Sequence, residues 1–466
     1  MVNEEVLYLS ASELGERIRA RRLSPVELTE AYLDRSRNLG PRLGAYVTLT
    51  PELALAEAQA AEREIRAGRY RGPLHGVPYA AKDLLAVKGY PTTWGARPYA
   101  EQRFAFDAAV VQRLRSAGAV LLGKAAMIEL AGGMGYRYAS AALTGPAHNP
   151  WNETCWTCGS SSGSGAIVAA ALAGFAIGTE TWGSIVCPSA FCGVSGLRPT
   201  FGRVSRQGAM ALAYSMDKIG PLARSAEDCG LVLAAIAGND PADLGSLPPQ
   251  EAAFSWPPAG APKLRIGRLT NAWQSPATEV EDAFQAALEV MTAHGAAVQD
   301  AALPEGPWEA AAGLTISAEC ASAFQDLIES GKALQLADPE GQMGGFVNLQ
   351  VGAADYERAQ RVRGLLQGKM DALFESFDLL TAPSLPVAAS SLEANLDTDL
   401  SFSDPLGGIG NFCGLPAAGV PCGFTQAGLP IGIQFVGRVL GEDKVLAAAR
   451  LFQRHTDWHR KRPPLS

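Results

Sequence analysis

Long apolar runs are absent from this chain. The longest, 166–177, falls well short of the roughly 20 residues that span a bilayer, so no membrane-crossing helix is expected. Positive charge is in deficit: 39 Lys and Arg stand against 47 Asp and Glu, for a net charge of −8. A chain so balanced offers no basic field to gather nucleic acid or anionic lipid. The opening residues Met1-Val2-Asn3-Glu4-Glu5 lack the basic start and apolar core of a signal peptide, and a cytoplasmic protein is expected. Internal repeats are missing. Metal-ligand spacings are thin. Cys155-Trp156-Thr157-Cys158 is a C-x-x-C, but Cys187 and Cys192 are too far apart for a second zinc-ribbon pair. Cys229, Cys320, Cys413 and Cys422 stand singly. A zinc site or a redox pair is conceivable; buried free thiols are the expectation.

What the chain does have is hydroxyl groups at dense turns. Gly159-Ser160-Ser161-Ser162-Gly163-Ser164-Gly165 is followed by Thr179-Glu180-Thr181-Trp182-Gly183-Ser184. Such a run is either a flexible linker or a tight turn built for chemistry. A linker sits in polar, low-complexity sequence. Here the intervening 166–177 is almost wholly apolar and reads as a buried helix running into a buried strand. The two hydroxyl clusters therefore cap core elements, where side chains can be held in fixed geometry.

The 466 residues alternate helix and strand signals, with 50 glycines marking tight turns. Ser10 with Glu13 and Ser24 with Glu27 fit capping boxes, and Pro25 takes a first helical position. A third helix is expected after Thr50-Pro51. Residues 74–85 read as a turn entering a buried strand. A helix over 107–117 stops at Gly118 before the apolar strand 119–123. The alternation recurs at 166–177, 264–269, 278–298 and 356–382. Paired strands follow at 417–421 and 429–436, then an amphipathic helix over 441–454. The pattern predicts an α/β fold, with a mixed twisted central sheet and helices on both faces. We read one large α/β/α domain over 1–466. It comprises an N-terminal helical segment at 1–70, a core at 71–237, a surface connection at 238–263, and the remainder at 264–466.

Three serine chemistries compete. Gly159-Ser160-Ser161-Ser162-Gly163 matches the G-x-S-x-G nucleophile elbow centred on Ser161. What precedes it, 150–157, reads as a loop and not as the required strand. Of the histidines that follow, His455 and His459 lie in a polar tail and read as solvated. Ser215-Met216-Asp217-Lys218 is an S-x-x-K without its companion motifs. The third reading joins Ser184, Ser160 and Lys82. Serine needs a base within hydrogen-bond reach, and lysine serves only when neutral, which burial promotes. Lys82 sits between Ala80-Ala81 and Leu84-Leu85, while Asp83 alternates to the opposite face of a strand.

These residues carry a family resemblance. The blocks are Leu74-His75-Gly76-Val77-Pro78 leading to Lys82-Asp83; Gly159-Ser160-Ser161-Ser162-Gly163-Ser164; Gly178-Thr179-Glu180-Thr181-Trp182-Gly183-Ser184-Ile185; Pro188 through Thr200; and Asp217-Lys218-Ile219-Gly220-Pro221. In that order they resemble the amidase signature family. The resemblance implies an amidase acting on linear amides. Its catalytic residues would be Ser184 as nucleophile, Ser160 as bridging serine in a cis peptide, and Lys82 as base. It also implies an oxyanion hole from the backbone N–H groups of Thr181, Trp182, Gly183 and Ser184. No metal or cofactor is implied. The substrate would be a small molecule, with neither nucleic acid nor membrane as partner; a homodimer is left open. Esters and carbamates share the same tetrahedral chemistry and stay as side activities.

Three positions depart from the commonest family pattern. Glu180 stands where Asp is frequent, Ser162 where Gly is frequent, and Trp182 where Gly is commonest. Trp182 is expected to favour an apolar or aromatic substrate. Met127, Ile128 and Tyr136 are further pocket candidates. The resemblance also extends to the A subunit of a glutamyl/aspartyl-tRNA amidotransferase, a partner-dependent glutaminase. In that reading Arg363 and Asp404 fall roughly where the amino acid's carboxylate and amino groups are gripped.

Overall fold

The computed structural model describes residues 2–258, 263–400 and 402–465. Thirteen strands occur among them: β1 Tyr46–Leu49, β2 Pro78–Lys82, β3 Val120–Ala125, β4 His148–Asn149, β5 Asn152–Trp156, β6 Phe175–Glu180, β7 Ser195–Arg198, β8 Lys218–Ala223, β9 Arg265–Leu269, β10 Ala297–Ala301, β11 Leu379–Pro383, β12 Ala417–Phe424 and β13 Pro430–Gly437. Eleven of these form one mixed sheet in the order β1-β3-β2-β6-β8-β7-β12-β13-β11-β9-β10. Helices flank it, giving a single α/β domain. Strands β2, β3, β6 and β8 are buried at every residue. That explains their near-continuous apolar sequence, since a strand covered on both faces has no solvent side to keep polar.

Local signals account for much of this. Ser10 and Glu13 form a reciprocal capping box at Ala11–Arg19. At Pro25–Leu43 the box is only half made: Ser24 accepts from Val26 and Glu27 N–H groups, but its hydroxyl donates to Glu62. Gly118 takes φ +81°, ending the turn after Ala109–Ser116 so that β3 can begin. The segment 1–70 is not purely helical, because β1 pairs antiparallel with β3 at the sheet edge. The 238–263 connection carries the short helix Pro249–Ala252, and 259–262 lie outside the described residues.

The stretch expected as a loop before the serine run is partly a hairpin, β4 paired with β5. Cys155 and Trp156 are buried on it although its first residues face solvent. The cysteines also differ from expectation. Cys158 and Cys187 are disulfide-bonded, with Cα atoms 5.8 Å apart; the other six are free and buried. The pair is separated by 29 residues, a spacing that matches no local motif. His459 is half-buried, and burial followed by neighbouring Arg460 lowers its pKa to about 4.

Candidate active site

Strands β2 and β6 run parallel, with Ala81 beside Ile177. Their carboxyl ends therefore lie side by side, which is where α/β sheets commonly build sites. Lys82 ends β2 and Glu180 ends β6. The helix Ser162–Ala169, buried at every residue, returns the chain from Ser160 to β6. Gly163 permits this: a Cβ there would lie 2.4 Å from the Ala45 carbonyl oxygen and 2.5 Å from the Ala126 nitrogen.

Lys82 is completely buried. Its Nζ donates to Ser160 Oγ at 2.7 Å, Ser161 Oγ at 3.0 Å and Thr179 Oγ1 at 3.0 Å. Ser160 Oγ lies 3.0 Å from Ser184 Oγ. Three hydroxyls thus surround one amine, and a hydrogen-bonded chain runs from Lys82 through Ser160 to Ser184. The Gly159–Ser160 peptide is cis. Burial lowers the Lys82 pKa to about 7, against the opposing pull of the Asp217 and Glu180 carboxylates. The free amine is therefore well populated at neutral pH. Asp83 does not compete for Lys82, because it pairs with buried Lys124 at 2.8 Å.

The turn carrying Ser184 is clamped from below. Glu180 Oε2 accepts the N–H groups of Ile185 at 2.8 Å and Val186 at 3.0 Å, at the start of the helix Val186–Cys192. Glu180 Oε1 accepts from Arg198 at 2.6 Å and Asn411 at 2.9 Å. Burial acts to raise the Glu180 pKa, but Arg198 and these donors outweigh it and hold the carboxyl at about 2. Thr181 Oγ1 donates to Asp217 Oδ1 at 2.5 Å, fixing the start of the turn. Gly183 supplies φ +76°, a conformation L side chains rarely adopt. The N–H groups of Trp182, Gly183 and Ser184 have no intrachain acceptor among the described residues. They are available to an anionic oxygen beside Ser184.

The sequence candidates fall in different places. The Ile128 N–H donates to the Ser160 carbonyl at 3.2 Å, and its side chain with the Tyr136 hydroxyl crowds Gly159. Met127 is buried against Gly95. The Trp182 indole N–H donates to Asp404 Oδ2 at 2.9 Å, and its ring packs on Gly408. Arg363 binds the hydroxyl and carbonyl of Ser215 at 2.9 and 2.8 Å. Lys218 donates to the Met216 carbonyl, so Ser215 and Lys218 are not joined to each other. A cavity of about 290 Å3 opens beside the Lys82 site, lined by Thr179, Thr181, Leu84, Met210, Leu212 and Tyr214 among others. Met127, Ile128, Tyr136 and Trp182 do not line it.

Glu180, Arg198, Asn411, Asp217 and Thr179 were not singled out as site residues by sequence reasoning. Glu180 had a usable signal, a carboxylate just ahead of a helix start. Asn411 had none, being 231 positions away.

The comparison with known proteins bears on this geometry. The Amidase family model matches residues 27–446. The chain belongs to that family, the amidase signature family. This amidase is 36% identical to the A subunit of glutamyl-tRNA(Gln) amidotransferase from Geobacter sp. (strain M21) over 495 residues, covering 99% of this chain and 100% of that protein. It is 38% identical to the corresponding protein of Moorella thermoacetica, covering 99% of each. Among solved structures it resembles the native peptide amidase of Stenotrophomonas maltophilia at TM-score 0.85 and 33% identity, covering 98% of both chains. A structure described for the evolutionary origins of an s-triazine catabolic enzyme superposes at TM-score 0.87 and 30% identity, over 96% of this chain and 98% of that one. As a member, the chain is an amidase-family hydrolase acting on C–N amide bonds. No helix among the described residues is long and apolar enough to cross a membrane.

Proposed function

We propose that this amidase hydrolyses small apolar or aromatic amides through an acyl-enzyme on Ser184. The observation that carries the reading is the buried chain Lys82–Ser160–Ser184, with steps of 2.7 and 3.0 Å. When Lys82 is charged, protons point from Lys82 to Ser160 and on to Ser184. When Lys82 is neutral, both hydroxyl rotors reverse: Ser184 donates to Ser160, and Ser160 donates to the lysine lone pair. Ser184 Oγ then attacks the acyl carbonyl as its proton moves to Ser160 and that of Ser160 moves to Lys82. The developing oxyanion meets the N–H groups of the 181–184 turn, each such donor supplying roughly 3–4 kcal/mol. The Lys82 proton returns along the relay to the leaving amine. Water then attacks the ester, giving its proton to the same relay, and Ser184 is restored with release of the acid. The cavity of about 290 Å3 sits at the small end of ligand pockets. It meets the relay through Thr179 and Thr181 and not through Ser184 itself, and its Leu84, Met210 and Leu212 walls, set beside Arg206, Asp217, Lys218 and Asp243, offer an apolar group a place. Esters and carbamates that present the same carbonyl are proposed as further substrates of the same relay.

A second reading is a partner-dependent glutaminase, as the names of the amidotransferase relatives suggest. The polar groups such a site would use are engaged within the chain. Asp404 accepts from the Trp182 indole and from Gly407 N–H, and Arg363 grips Ser215. Freeing them costs interactions before an amino acid gains any. The test is a panel of anilides, primary amides, esters, carbamates and glutamine with the purified chain, first alone and then with the other amidotransferase subunits added. Turnover of aryl or alkyl amides without glutamine hydrolysis supports the proposal. Glutaminase activity that needs a partner, with no turnover of the other amides, contradicts it.

A further inference from the structure

The disulfide lies across the gap that the proposed relay has to bridge. Cys158 is two residues before Ser160, and Cys187 is three residues after Ser184. The backbone N–H of Cys187 also donates to the Gly183 carbonyl at 2.8 Å, closing the turn that presents Ser184. Between the two serines themselves there is only one hydrogen bond, of 3.0 Å. Cys158 is 7% exposed, whereas Cys187 is accessible to an intermediate degree. The six free cysteines are buried.

We propose that the Cys158–Cys187 bond is a reversible positioning cross-link that holds Ser160 against Ser184, so that its reduction lowers turnover. The inference rests on Ser184 being the nucleophile, as proposed above. The reductant is a small dithiol. One of its thiolates attacks the more accessible Cys187 sulfur, the protein S–S bond breaks, and Cys158 leaves as a thiolate that takes up a proton. The second thiol of the reductant then displaces Cys187, which is protonated in turn. Two electrons pass to the protein, and the reductant departs as a cyclic disulfide. Without the covalent tie, the two turns stay joined by non-covalent contacts: the Ser160–Ser184 hydrogen bond, the Lys82 and Ser161 bonds to Thr179, and Cys192 Sγ against the Thr157 carbonyl. A shift of about 1 Å between reacting groups is enough to cost on the order of a hundredfold in rate, so partial loosening is expected to cost about tenfold.

The test is titration of free thiols in denaturant alongside kinetics with a chromogenic amide. The oxidised protein should titrate six thiols and the dithiol-treated protein all eight. On reduction kcat should fall about tenfold with KM little changed, and glutathione disulfide should restore both the count and the rate. Cys187→Ala should start at the low rate and ignore the dithiol, while Cys229→Ala should keep the response. Labelling of Ser184 by a fluorophosphonate separates this idea from the reading beneath it. Absence of labelling in either state refutes Ser184 as nucleophile. Equal labelling rates and equal kcat with six and with eight titratable thiols refute the cross-link role. Purified protein that titrates eight thiols and that glutathione disulfide never brings to six also refutes it.

Discussion

Glu180 and Arg198 form an ion pair of 2.6 Å in which both side chains are buried, and this pair sits directly beneath the turn that carries Ser184. Arg198 also donates to the Leu415 carbonyl at 2.9 Å, tying β7 to the segment before β12. Removing the cation leaves a buried carboxylate short of a partner, a change that typically costs 3–5 kcal/mol. Arg198→Met should therefore lower stability by about that much in urea denaturation and lower kcat as well. The pH response has a definite sign. The Glu180 pKa is held below its ordinary 4.5, at about 2. Its contribution is thus complete above about 4.5 and is lost as pH falls toward 2. Wild type and Arg198→Met should differ most above pH 4.5 and converge in acid.

Lys82 gives a prediction of opposite character. Its pKa is lowered from 10.5 to about 7 by burial, so the proposed base is charged in acid. kcat/KM should rise with pH through about 7 and then level. Lys82→Arg should be inactive, because a guanidinium cannot give up its proton to serve as base. Between about 7 and 10.5 the unfolded chain binds a proton that the folded chain does not, so stability rises with pH in that window. Wild type should gain stability relative to Lys82→Met between pH 7 and 9 in denaturation curves.

Ser184→Ala and Ser160→Ala test the relay. Each should lower kcat by about a thousandfold or more while leaving the thermal midpoint within a few degrees of wild type. Ser161→Ala should retain most activity. Ser161 Oγ interacts with the Thr179 carbonyl and N–H and accepts from Lys82, but makes no contact with Ser184 among the bonds described.

The sequence revealed the parts of the site that lie on strong local patterns. An apolar stretch between two hydroxyl clusters gave the helix Ser162–Ala169 and β6, and the isolated lysine among alanines and leucines gave the end of β2. Gly118 and Pro25 marked element boundaries because backbone conformation alone decides them. The clamp on Glu180 was not legible, since Arg198 and Asn411 reach it only through the sheet order. Thr179 was hidden for the same reason: it meets Lys82 only because β2 and β6 are neighbours. The Cys158–Cys187 bond escaped because cysteine spacing reports local ligand sets, not turns brought together by a fold. The 290 Å3 cavity draws on the 206–219 region, where the sequence offered only the unused Ser215-Met216-Asp217-Lys218 and the family block beginning at Asp217, neither of which pointed to a pocket.

Trp182 and Asp404 bear on substrate choice. The indole N–H occupies Asp404 at 2.9 Å, and burial raises the Asp404 pKa to about 6. Trp182→Gly removes that donor and opens space over Gly408. The variant should lose preference for aryl and alkyl amides relative to amides bearing an α-ammonium group by roughly tenfold or more. Ratios of kcat/KM across the two substrate types would show it, and an unchanged ranking would remove Trp182 from any selective role.

The most direct test of the account is peptide mapping by mass spectrometry after brief reaction with an activated aryl ester and acid quench. The acyl group should be found on Ser184, and the Lys82→Ala protein should show none. Acylation at Ser161 or Ser215, or acylation of Ser184 undiminished in Lys82→Ala, would contradict it.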